Sequence, residues 1–201
     1  MGLLGANGSG KSTLLRIFGT LLKASAGEAR IYGNDVASDA DAVRAHVGFL
    51  AHTPGLYDDL TARENVAFAA TMLGLPTADI DGSLSRVGLA AVANERVRGF
   101  SAGMQRRLGL ARLLLRRPKL LLLDEPYSNL DSAGIELMNE VIVEKVRQGG
   151  AALVVLHELA PAAGMLDRTV TIVDGKVAAA AAGDDGVSGG EVRRPAAVGA
   201  G

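Results

Sequence analysis

Gly5-Ala6-Asn7-Gly8-Ser9-Gly10-Lys11-Ser12 decides how the rest of the chain is read. It spells G-x-x-x-x-G-K-S, a phosphate-binding loop or P-loop. The glycines let the backbone curl so that successive N–H groups point inward at phosphate oxygens. The Lys11 ammonium offers a point charge to β- and γ-phosphates, and the Ser12 hydroxyl suits Mg²⁺. Leu3 and Leu4 predict the end of a buried strand just before the loop. After it, Leu14, Leu15, Phe18, Leu21 and Leu22 recur at helical spacing. A helix starting at Gly10 or Lys11 aims its N-terminal dipole at the same anion. Gly5, Asn7, Gly8, Ser9, Gly10, Lys11, Ser12 and Thr13 are therefore the expected nucleotide-phosphate residues. A dinucleotide loop is excluded, because Gly8-Ser9-Gly10-Lys11-Ser12-Thr13 lacks the third glycine of G-x-G-x-x-G.

Further along, Leu120-Leu121-Leu122-Leu123 is bounded by Pro118 and Pro126, as in a strand buried on both faces. It ends in Asp124-Glu125. With a P-loop present this is the Walker B strand: Asp124 holds Mg²⁺ and Glu125 polarises the attacking water as general base. The P-loop lysine, these two carboxylates and the Ser12 hydroxyl call for ATP and Mg²⁺. Ser101-Ala102-Gly103-Met104-Gln105 opens a helix and offers a second anion site, although an ordinary helix cap would read the same in isolation.

The remaining pattern alternates strands and helices, which predicts an α/β fold with a mainly parallel sheet flanked by helices. Strands are expected at Gly27–Gly33, Val47–Ala51, Ala152–Leu156 and Thr169–Val173, with a hairpin turn at Asp174-Gly175-Lys176. Thr61 and Glu64 form a capping-box pattern for a helix over 61–73. Ile135, Met138, Ile142 and Val146 share one face of another over 132–148. Residues 77–98 read as helical and polar, broken at Gly82 and Gly88, and 53–115 as a helical insertion. The ATP-binding domain spans 1–177, and 178–201, rich in alanine, glycine and charge, reads as a disordered tail.

Composition narrows the partners. The 201 residues are 48% hydrophobic with a net charge of −1, which suits a globular core and argues against nucleic acid. Arg96, Arg98, Arg106, Arg107, Arg112, Arg116 and Arg117 form a basic stretch, read as solvated helix faces with some interface contacts. The absence of cysteine rules out disulfides and thiolate chemistry and fits the cytoplasm. No apolar run approaches the roughly 18 residues needed to span a bilayer. Met1-Gly2-Leu3-Leu4 runs straight into the P-loop with no leader pattern, so a membrane role is expected to go through a partner.

The ordered motifs resemble the ATP-binding subunits of ABC transporters, a family of P-loop NTPases. Phe100-Ser101-Ala102-Gly103-Met104 is similar to the family's L-S-G-G-Q signature, matching at Ser101 and Gly103. Ser128-Asn129-Leu130-Asp131 resembles its D-loop, and Leu156-His157-Glu158 its switch-histidine loop, with His157 on the γ-phosphate. The resemblance covers residues 1–177. It implies a head-to-tail dimer in which each ATP lies between one P-loop and the signature loop of the other copy. It also implies an integral membrane partner whose coupling helix docks on residues 52–75, at the cytoplasmic face. Leu56 and Tyr57 are the expected anchor there, or else a cap over the domain's own core.

Two departures stand out. His52 occupies the place of the family's glutamine, so it is read as a Mg²⁺ ligand or as an ordinary loop histidine. The family carries a further stretch before the P-loop, with an adenine-stacking aromatic and strands of an antiparallel sheet. These strands are expected to be largely missing here, from a start lying upstream or a truncated copy. Within the family, His52, the stretch Leu56–Asn65, the Phe-Ser-x-Gly-Met signature and Asp124-Glu125-Pro126-Tyr127 are most similar to haem-exporter ATPases of cytochrome c maturation. The alternatives are a drug or lipid exporter ATPase, a soluble ABC ATPase acting on ribosomes or DNA, or an inactive copy.

Overall fold

The four leucines that follow Lys119 show how the sheet is buried. In β5 (Leu120–Asp124), Leu121 and Leu123 face one side and Leu122 the other, each fully out of solvent. A strand with helices on both faces has no polar side, which is why alternation vanishes from its sequence. Burying each such leucine contributes about 1.5–3 kcal/mol.

The structure, a computed structural model, describes residues 1–76 and 79–182. Its main sheet has six strands in the order β4-β5-β6-β1-β7-β8. These are β1 (Gly2–Leu4), β4 (Val47–Leu50), β5, β6 (Ala151–Val155), β7 (Arg168–Val173) and β8 (Lys176–Ala182). All neighbours are parallel except β7 and β8. One face packs against α1 (Lys11–Phe18) and α2 (Ala40–His46), through Leu3, Leu15, Val43, Leu122 and Val155. The other carries α5 (Ala102–Leu114) and α6 (Ser132–Arg147), through Leu108, Leu110, Leu123, Met138 and Val154. Between β4 and β5 also lie α3 (Ala62–Met72) and α4 (Ile80–Arg86). The expected α/β class with a mainly parallel sheet is thus the observed one.

Several local expectations are met in detail. The Glu64 amide donates to Thr61 Oγ1 at 3.1 Å, and the Thr61 amide donates to Glu64 Oε2 at 2.8 Å, closing the capping box of α3. The bonds Glu64 Oε2 accepts from the Thr61 amide and, second, the Thr61 hydroxyl hold the Glu64 carboxyl below its usual range. The β7–β8 hairpin turns on Asp174 and Gly175, both at positive φ, as a two-residue turn with native twist requires.

Other expectations need correction. The strand expected over 27–33 is only β2 (Arg30–Ile31), which turns at Tyr32-Gly33 into an antiparallel β3 (Asn34–Asp35). Both turn residues have positive φ. Residues 80–99 are one short helix and two 3₁₀ turns, Ala90–Val92 and Val97–Gly99, because Gly88 at positive φ ends α4. The tail expected from 178 instead extends the sheet: β8 runs to Ala182, paired with Arg168. Residues 183–201 of that tail lie outside the described residues.

Candidate nucleotide site

Strand order brings the scattered motifs together. Leu3 of β1 and Asp124 of β5 both pair with Val155 of β6, and Leu50 of β4 pairs with Leu123. The C-terminal ends of four adjacent parallel strands therefore open side by side. From them emerge Gly5 after β1, Asp124-Glu125 at the end of β5, His157 after β6 and His52 after β4. This is where ligands sit in open α/β sheets.

The P-loop is built for a group larger than a side chain. A Cβ on Gly5 would stand 2.2 Å from the Ile172 carbonyl oxygen, so only glycine lets the loop leave β1 beside β7. Gly8 and Gly10 also hold positive φ, and nothing lies within 4 Å of where a Gly8 Cβ would be. Lys11 is buried, and its Nζ donates to the carbonyls of Gly5 at 2.7 Å and Ala6 at 2.8 Å. The ammonium is thus held inside the curl by the loop's own backbone. Ser9 Oγ is buried with no hydrogen-bond partner among the described residues, and such an atom calls for an acceptor or donor from outside. Asn7, Gly8 and Thr13 are exposed around it. Lys11 opens α1, so the free N–H groups of that helix face the same space. An orphan hydroxyl, an open glycine and a caged ammonium fit a polyphosphate.

Beside the loop, Ser12 Oγ donates to Asp124 Oδ1 at 2.9 Å, and Asp124 is 1% exposed. Both are hard oxygen ligands. Among the described residues no cluster of three or more histidine or acidic side chains forms a metal site by itself. The Ser12–Asp124 oxygen pair fits Mg²⁺, which is bound through one or two protein oxygens together with substrate phosphates and water.

Glu125 is held from two sides. Its Oε1 lies 2.6 Å from His157 Nε2, and its Oε2 lies 3.3 Å from His52 Nδ1. Its backbone has φ of 52°, rare for a residue with a side chain and the kind of strain that collects at functional sites. His52, expected as a Mg²⁺ ligand or a plain loop residue, thus turns its Nδ1 to the Walker B glutamate.

Ser101 and Gly103 are not brought to this P-loop. Ser101 caps α5, its Oγ accepting from the Met104 amide at 3.2 Å. A Cβ on Gly103 would meet the Asn129 carbonyl oxygen at 2.8 Å, so the signature turn lies against the D-loop. Arg107 strengthens this contact by donating to Asp131 Oδ1 at 2.5 Å, and the same oxygen accepts from the Gly134 amide to cap α6. Those bonds, Gly134 first and Arg107 second, hold the Asp131 carboxyl below its usual range.

The basic stretch is not a solvated face throughout. Arg106 is 3% exposed and donates to the Ala51 carbonyl at 2.8 Å, next to His52. Burial pushes the Arg106 guanidinium down, and the charges of Glu125 and Asp124 oppose that. Arg112 similarly donates to the Gly55 carbonyl. A signal for Arg106 was present: it shares the 0, 4, 7 spacing of Leu110 and Leu113 on the buried side of α5. Tyr127, after the Walker B carboxylates, is half-buried and donates to Asn139 Oδ1 at 2.7 Å, with burial pushing its phenol up to about 12.

Comparison with known proteins agrees with this geometry. The ABC transporter family profile matches residues 1–128. The cytochrome c biogenesis ATP-binding export protein CcmA of Xanthomonas campestris is 44% identical over 169 residues, covering 84% of this chain and 78% of that protein. An uncharacterized ABC transporter ATP-binding protein of Bacillus subtilis, YdbJ, is 38% identical over 181 residues, covering 89% of this chain and 59% of that protein. A dimeric ATP-binding cassette solved in a post-hydrolysis state with ADP and Pi superposes with a TM-score of 0.78 at 28% identity, covering 90% of this chain and 84% of that one. The chain belongs to the ABC transporter family, as an ATP-binding ATPase domain.

Proposed function

We propose that this domain powers export through a membrane partner, with haem for cytochrome c maturation as the cargo class. The observation that carries the motor reading is the convergence of Lys11, Ser12, Asp124, Glu125 and His157 at the ends of three neighbouring strands, β5, β6 and β1. The cargo is supported by the 44% identity with a cytochrome c biogenesis export protein. The 38% identity with YdbJ, an ABC transporter ATP-binding protein, supports an ABC transporter of other cargo as the second reading.

In the proposed reaction, the P-loop amides and α1 hold the β- and γ-phosphates of ATP, and Lys11 exchanges its backbone carbonyls for phosphate oxygens. Ser12 and Asp124 would hold Mg²⁺, which when bound would supply neutralising charge to the phosphates. Glu125 accepts a proton from the water as its oxygen bonds to the γ-phosphorus and the bond to ADP breaks. His157 turns from Glu125 to the γ-phosphate. Ser101, exposed at the N-terminus of the thirteen-residue α5, and Gly103 serve the nucleotide of a second cassette in a head-to-tail dimer. That the solved relative is dimeric supports pairing of two cassettes.

Docking to the partner falls to the surface between β4 and α3. No described helix is long and apolar enough to cross a membrane. Tyr57, Phe68 and Met72 are 48%, 39% and 69% exposed, and the two rings meet edge to face at 4.9 Å. Phe68 and Met72 line a groove of about 460 Å³ with Phe49, Pro54, Leu73 and Leu113. Leu56, by contrast, packs on the core, so the anchor is Tyr57 with Phe68 rather than Leu56 with Tyr57. A coupling helix at this groove would place the chain on the cytoplasmic face. The test is complementation of a bacterial strain lacking CcmA: restored holo-cytochrome c supports haem export, and no restoration by a well-expressed, membrane-bound chain refutes it.

A further inference from the structure

Glu125 has a second imidazole beside it that the reaction above does not use. His52 and His157 come from the strands on either side of β5 and take one carboxylate oxygen each. His52 is not a loose loop residue that strays there. The carbonyl of Ala51 before it is held by the buried Arg106. Pro54 after it packs on α5 at Gly109, where a Cβ would come within 2.7 Å of the proline. Both sides of His52 are therefore fastened to the signature helix, while the left-handed backbone of Glu125 fixes the carboxylate from below.

We propose that His52 is a positioning residue for Glu125. Its Nδ1, 3.3 Å from Oε2, steadies that oxygen and leaves Oε1 as the one that takes the proton from water. The inference rests on the reading of Glu125 as general base. With both imidazoles in place each carboxylate oxygen has a ring nitrogen beside it. Once His157 turns to the γ-phosphate, Oε1 is free and Oε2 is still held. A glutamate side chain ends in a torsion with a broad profile, so without a donor on Oε2 the carboxylate swings away from the line of attack. The O–H bond of the water breaks toward Oε1 as its oxygen bonds to phosphorus. His52 exchanges no proton in this step.

The proposal requires a proton on Nδ1. A neutral imidazole with its proton on Nε2 would turn a lone pair from Nδ1 toward the carboxylate. The chain has three histidines, so ¹⁵N spectra of the full chain labelled at histidine are simple to assign. His52 is expected with Nδ1 protonated, and to lose that preference in Glu125→Ala. A wild-type His52 protonated on Nε2 alone overturns the proposal. In ATP turnover, His52→Ala is expected to lower kcat about tenfold, with the KM for ATP unchanged. His52→Gln, whose amide can donate to Oε2, restores most of the rate. An unchanged kcat in His52→Ala refutes positioning. A raised Mg²⁺ requirement with normal kcat at saturating Mg²⁺ refutes it too, in favour of metal ligation. Glu125→Gln separates the two layers: if it turns over normally the general-base reading fails, whereas a dead Glu125→Gln beside a fully active His52→Ala defeats positioning alone.

Discussion

Replacing Gly5 by alanine tests whether the P-loop is held in place by contact with β7. The Gly5 backbone has φ of 147°, and an alanine Cβ would stand 2.2 Å from the Ile172 carbonyl oxygen and 2.7 Å from Ser9 Oγ. Backbone strain of this kind costs about 1–3 kcal/mol. Forcing a methyl against a neighbouring strand costs about 1–3 kcal/mol more, because the obstacle is main chain and cannot rotate away. The sum, roughly 2–6 kcal/mol, is a large part of a typical domain's stability. It corresponds to a fall in melting temperature of roughly 5–20 °C for a chain of this size. The displaced loop also moves the carbonyls that hold Lys11, so ATP affinity falls with it. Gly27→Ala is the control: Gly27 has φ of 88° but no atom within 4 Å of a Cβ, so it reports strain without collision. The assay is thermal unfolding of both variants beside wild type, with nucleotide titration of each. If Gly5→Ala melts no lower than Gly27→Ala and binds ATP normally, the contact with Ile172 does not position the loop.

Three further outcomes follow from the same contacts. Lys11→Ala removes charged hydrogen bonds worth about 1.5–3 kcal/mol each, so ATP affinity is expected to fall about tenfold or more, and an unchanged dissociation constant would sink the role of Lys11. Asp131 has a folded-state pKa below its unfolded value near 3.9, so its stabilisation is present above that pH and is lost as pH falls through the folded value; the melting difference between wild type and Asp131→Ala should be largest above about pH 5 and shrink toward pH 3, and a constant difference contradicts the Arg107 and Gly134 bonds. Tyr57→Ser with Phe68→Ser is expected to release the chain from membranes containing its partner while ATP binding is kept; a double mutant that stays in the membrane fraction moves the docking surface elsewhere.

Much of the site was legible because P-loop and Walker B chemistry is local in sequence. Gly5 to Ser12 carry their own turn geometry, and Asp124 and Glu125 follow the buried strand that aims them. The capping boundary at Thr61 and the turn at Asp174-Gly175 were legible for the same reason. What could not be read was lateral order. Nothing between residues 52 and 157 says that β4, β5 and β6 are neighbours, so the enclosure of Glu125 by His52 and His157 emerges only from the sheet. Arg106 was misread because an arginine is ordinarily a surface residue, although its spacing with Leu110 and Leu113 put it on the buried face. The β8 extension was hidden in a run of alanines, whose strand propensity is low and whose pairing comes from β7.

The central claim is that this domain hydrolyses ATP with Glu125 as the base. ATP turnover by Glu125→Gln, with ATP binding measured on the same preparation, tests it most directly. The account predicts a loss of roughly 10²–10⁴-fold in turnover with affinity unchanged, since amide and carboxylate have the same shape and only the proton acceptor is gone. Turnover equal to wild type would contradict it.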